Sequence, residues 1–109
     1  MIDDDQIEAA LAYLAKNVEA SAAARANKIY MVEGRKVKKA QLMNQSNEPT
    51  EAAKERYAYS HKDYEKHLQE MKEAIYEDAK HEFRRDAYSA TIDAWRTQQA
   101  NIRTAEKVY

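Results

Sequence analysis

The sequence predicts an all-α protein: an antiparallel hairpin of two long helices, coiled-coil-like, with a short connecting helix, pairing into a helical bundle. Three observations predict it. Gly34 and Pro49 are the only glycine and proline among 109 residues, and Ala, Glu, Lys, Gln, Arg, Leu and Met fill most other positions. Apolar residues recur at spacings of three and four in both halves of the chain. Charge falls in blocks that complement one another about the middle.

The first helix is expected over about residues 3–43. Asp3, Asp4 and Asp5 supply an N-cap and negative charge at the positive end of the helix dipole. Ile7, Leu11, Leu14 and Val18 begin an apolar stripe that Ala22, Ala26, Ile29, Val37 and Ala40 continue while drifting around the helix. That drift, with Gly34, suggests a bend or weak turn near residues 33–36. The polar run NQSNE ends the helix. Asn47 is the expected cap of a short helix over about 49–59, with Pro49 at a tolerated early position. Ser60 followed by Asp63 resembles a capping box and opens the longest helix, about 61–107. Its first seam is Tyr64, Leu68, Met71, Ile75 and Ala79. Farther along, Phe83, Ala87, Ala90 and Ala94 lie beside a second line of Tyr88, Ile92, Trp95 and Ile102. The whole reads as one helical domain, residues 1–109.

The charge blocks favour a hairpin over diverging helices. Residues 1–24 hold five acids and one base, and residues 25–43 hold six bases and one acid. Residues 44–82 hold ten acids and six bases, and residues 83–109 hold five bases and three acids. Folding back at the loop sets basic 25–40 against acidic 63–82, and the acidic N-terminus against Arg96 and Arg103. Such flanking charge selects helix orientation and register.

Composition narrows the function classes. A net charge of -1 gives no global attraction to nucleic acid or membrane. The chain has no cysteine, which excludes a disulfide framework and thiolate metal sites and fits a reducing compartment. MIDDDQIEAA is acidic where a signal peptide is basic, and no apolar run approaches a membrane span. A cytoplasmic protein with no membrane partner is expected. Much of the apolar share is alanine, so two helices bury a thin core and a homo-oligomer, a dimer first, is expected.

Two constellations stand out. Arg25, Lys28, Arg35, Lys36 and Lys39 fall within a helical arc of about 100°. That arrangement suits a phosphate backbone or an acidic partner, with Tyr30, Tyr57 and Tyr59 as stacking surfaces. It also suits internal pairing with Glu70, Glu73, Glu77 and Asp78. Eight tyrosines and one tryptophan are many for a thin core, and Tyr88, Ile92, Trp95 and Ile102 are the expected interface between copies. Tyr57 and Tyr64 are expected to pack locally. The carboxylate–histidine spacing of Glu77, Asp78 and His81 occurs once, where a helical dinuclear site needs two. HEFRR places Arg85 where a zinc motif needs histidine. No metal, cofactor, small-molecule substrate or catalytic residue is expected.

From Thr50 onward, KERYAYSHKDYEKHLQEMKEAIYED and IDAWRTQQANIR resemble small helical proteins encoded by bacteriophages and prophages. The first segment has an aromatic-rich helix break at SHKDY. The second has Trp95–Arg96 followed by Gln98, Asn101 and Arg103. The resemblance covers about half the chain and implies a place among phage DNA recombination or replication genes. The expected function is a non-enzymatic accessory protein acting through DNA or through a phage or host recombination protein. A scaffold of helical oligomers and a host-directed inhibitor are the alternatives.

Overall fold

Asp3 starts the first helix as a full capping box. Its carboxylate accepts from the Gln6 amide at 2.8 Å, and the Gln6 side-chain oxygen accepts from the Asp3 amide at 2.9 Å. In the computed structural model, which describes residues 1–108, four α-helices follow and no strand occurs among the described residues. They are α1 (Asp4–Lys16), α2 (Val18–Gln45), α3 (Glu51–Ser60) and α4 (Lys62–Val108). The chain is an all-α helical hairpin with a short connecting helix. The C-terminal position of the expected 1–109 domain, Tyr109, lies outside the described residues.

The expected 3–43 helix is divided, and at Asn17 rather than near Gly34. The Asn17 side-chain amide donates to the Tyr13 carbonyl at 3.0 Å, where the Asn17 backbone amide also donates at 3.1 Å. This side-chain competition with the backbone loosens the turn. Gly34 lies within α2 without positive φ. One glycine costs a helix only about 1 kcal/mol, which packing along so long a helix offsets. The weak turn expected at 33–36 therefore does not form.

The expected caps also move. Thr50, in extended backbone, caps α3 by accepting from the Ala53 amide at 3.1 Å, so neither Asn47 nor Pro49 has the role foreseen. Ser60 turns its hydroxyl back onto the Arg56 carbonyl at 2.8 Å and is spent on α3. His61 opens α4 instead: its Nδ1 accepts from the Asp63 amide, and its carbonyl accepts from the amides of Tyr64 and Glu65.

Packing divides the chain into two compact units. The terminal unit joins Met1–Ser21 to the chain from Lys80 onward, and the inner unit is Ala22–Ala79. Within the terminal unit the helices run antiparallel. Ile2 and Gln98 exchange hydrogen bonds at 2.9 and 3.4 Å, Tyr13 stacks on Tyr88 with centroids 4.6 Å apart, and Ser21 meets His81 at 3.4 Å. Ile7 and Ala10 are its buried apolar residues. The inner unit is antiparallel as well, with Arg25 and Lys28 on Asp78 and the Met31 carbonyl accepting from His67. Its core is Leu42, Ala58 and Tyr64, with Met43 packed against them.

The inward positions of α4 follow a spacing of three and four without a break. They are Tyr64, His67, Met71, Ala74 and Asp78 in the inner unit, then His81, Arg85, Tyr88, Ile92, Trp95, Gln99 and Ile102 in the terminal unit. Every one is buried or half-buried. This 3.5-residue period is the coiled-coil repeat. It corrects the expected first seam, where Leu68 and Ile75 are exposed, and leaves Phe83, Ala87, Ala90 and Ala94 exposed beside the inward line of Tyr88, Ile92, Trp95 and Ile102. On α1 and α2, Ile7, Ala10, Leu14, Asn17, Ser21, Ala24, Lys28 and Met31 keep the same period inward. Leu11, Val18, Ala22, Ala26, Ile29, Val37 and Ala40 are outside. The stripe that drifted around the helix is the solvent face.

Candidate functional site

The five basic residues do not act as one surface. Asp78 is buried, its side chain 2% exposed, and it receives Lys28 Nζ at 3.0 Å and Arg25 Nε at 3.3 Å. Lys28's hydrogen bond is the largest of the effects that hold the Asp78 carboxyl below its ordinary 3.8, against a desolvation that pushes it up. Lys39 reaches Glu55 on α3 at 3.3 Å and lies over the Tyr59 ring at 4.9 Å. The hydrogen bond with Tyr59, followed by that with Glu55, raises the Lys39 ammonium above its ordinary 10.5. Lys36 approaches Glu33 on its own helix at 4.0 Å, with both groups exposed. Arg35 is exposed and makes no ion pair among the described residues.

The acidic stretch foreseen as the counterpart of this run does supply a partner, Asp78. Lys39 instead pairs with Glu55 of α3, outside that stretch. A buried acid between two cations is legible only once α2 and α4 are in register.

Of the aromatics, Tyr57 and Tyr64 pack locally: Tyr57 on His61 at 5.5 Å, and Tyr64 edge-on to Tyr59 at 5.2 Å. Tyr88, Ile92, Trp95 and Ile102 are all half-buried in the α4 seam of the terminal unit. The Tyr88 ring meets Tyr13 of its own chain. The Tyr13 hydroxyl is enclosed and finds no hydrogen-bond partner among the described residues.

A groove of about 710 Å³ on the inner unit was not foreseen. Its α2 wall carries Ile29, Tyr30, Met31, Glu33, Gly34, Val37, Lys38 and Gln41; Asp63, Lys66, His67 and Glu70 of α4 line the other side. Gly34 permits a close approach of the two helices there. A Cβ at this position would stand 3.3 Å from His67 Cε1, and the His67 ring is tied by Nε2 donating to the Met31 carbonyl at 2.7 Å. The lone glycine in an otherwise unbroken helix was the signal available in the sequence.

No helix among the described residues is long and apolar enough to cross a membrane. No family model, curated protein or solved structure matches the chain.

Proposed function

We propose that the chain acts by binding: a non-enzymatic helical hairpin that serves phage DNA recombination or replication by engaging another protein, without gripping DNA itself. The engagement of the basic run supports this reading. Arg25 and Lys28 are committed to Asp78 and Lys39 to Glu55, so within this run only Arg35 and Lys36, the latter in an exposed contact with Glu33, remain for a phosphate backbone. Nucleic-acid affinity rises with each phosphate neutralised, and two exposed cations are few. Meanwhile large apolar side chains, Tyr30, Val37, Tyr76 and Phe83 among them, stand in solvent, the surface chemistry of protein contact. The phage setting rests on the resemblance of the segments after Thr50.

Fluorescence anisotropy with labelled single- and double-stranded DNA at low salt tests the reading. The intact protein should leave both probes free, while cross-linking in infected cells should join it to a recombination or replication protein. Salt-dependent DNA binding that Arg35→Glu with Lys36→Glu abolishes, at unchanged helicity, would instead establish direct phosphate contact.

A further inference from the structure

The connecting helix α3 shows what one flank of the inner unit accepts. Ala58 is fully buried with Leu42 and Tyr64, and Met43 packs against that cluster. The Glu55 carboxylate takes Lys39 of α2 at 3.3 Å, and His61, which opens α4, lies against the Tyr57 ring. One heptad from Lys39 and from His61, moving away from the loop, the same helix positions carry Val32 and Leu68. A further heptad along α4 brings Ile75, and Ala79 follows one turn later. Val32 and Ala79 are half-buried, Leu68 is 36% exposed and Ile75 42%. The apolar arc of α4 is therefore wider than α2 covers. Tyr64, Met71 and Ala74 turn toward α2, while Leu68, Ile75 and Ala79 stand beside them on the flank where α3 sits. From Leu68 to Ala79 this strip is about 16 Å long, roughly three turns of helix. Ammonium groups border it. Lys36, one turn from Val32, has an exposed contact with Glu33 at 4.0 Å, which is worth little. Lys72, between Leu68 and Ile75, makes no ion pair among the described residues. The acid on the same flank is Glu65.

We infer that this strip docks an acidic amphipathic helix of a partner protein, lying along α2 and α4 in line with α3. It repeats the contacts of α3: aliphatic side chains against Val32, Leu68 and Ile75, and carboxylates at Lys36 and Lys72 as Glu55 is at Lys39. Apolar anchors at heptad spacing are the features by which a helix is recognised in a helical groove. The inference rests on the reading that the chain works by protein contact, and it names the chemistry of that contact.

Two synthetic heptad peptides test it, both with leucine at the a and d positions. One is flanked by glutamate at e and g and the other by lysine, so like charges oppose the pairing of each with itself. Fluorescence anisotropy with the full chain should show the glutamate peptide bound about tenfold or more tighter than the lysine peptide. Leu68→Gln/Ile75→Gln should weaken that binding about tenfold or more at unchanged helicity. Val37→Gln, at an exposed position of the groove, should leave it alone. Lys36→Glu/Lys72→Glu should reverse the preference between the peptides. Binding of neither peptide, equal binding of both, or indifference to Leu68→Gln/Ile75→Gln would overturn the inference. Self-association of the chain that the same double variant abolishes would overturn it too, because a second copy would then be the occupant. Cross-linking to a recombination or replication protein that survives Leu68→Gln/Ile75→Gln would remove this docking strip and leave the proposed function standing.

Discussion

Leu42→Ala and Leu11→Ala make the same chemical change at opposite ends of the burial scale. Leu42 is 1% exposed and packs with Ala58 and Tyr64 where α2, α3 and α4 meet; Leu11 is 52% exposed. Removing three carbons from a fully buried site forfeits about 2.4 kcal/mol at roughly 0.8 kcal/mol per carbon. A residual cavity adds to this, although so small a core can close part of it. The expected loss for Leu42→Ala is about 2.5–3 kcal/mol, at the low end of buried leucine truncations. For a domain of this size that lowers Tm by roughly 10–15 °C. Leu11→Ala should cost less than about 1 kcal/mol, since half its side chain is already in water and alanine is the better helix former. Thermal melts and urea titrations followed by circular dichroism read both variants at one protein concentration, and the urea m-value should not change. Equal effects at the two positions would refute the assignment of Leu11 to the solvent face, and with it the coiled-coil phase of α1 and α2.

Asp78 offers an ordering of variants. Its cations are half and one-third exposed and can swing into water, whereas the carboxylate cannot. Asp78→Leu should therefore be tolerated, while Arg25→Ala/Lys28→Ala, which strands a buried charge, should melt lower than either single variant. The reverse order would refute the account. The pH dependence has a definite sign. The Asp78 carboxyl is held below 3.8 when folded, so its contribution is complete above the unfolded value and is lost as pH falls through 3.8 toward the folded one. Asp78→Asn should flatten the stability curve in that acid window, as urea titrations across pH would show. Tyr13→Phe removes a hydroxyl that is enclosed without a partner and should raise stability by about 1 kcal/mol; a loss of that size in thermal melts would mean the hydroxyl is hydrogen-bonded.

What the sequence determined by itself was local. The near-absence of breakers made the chain helical, the polar run after Met43 ended α2, and Asp3 started α1, because each of these depends on neighbouring residues. The charge blocks also identified the antiparallel direction, since opposite charges along two helices can be compared without coordinates. Only the tertiary structure decided which face turned inward. His67, Asp78, His81, Arg85 and Gln99 interrupt the apolar pattern, and the eye follows Leu68, Ile75 and Phe83 instead. A polar side chain can occupy a seam when the opposing helix supplies its counterpart, as Lys28 does for Asp78 and Ser21 for His81. That counterpart lies dozens of residues away in the chain, so its presence is a property of register and not of any segment. The helix break follows the same division: Gly34 is the better local breaker, yet packing carries α2 through it, while the side chain of Asn17 finds the Tyr13 carbonyl and divides the helix there.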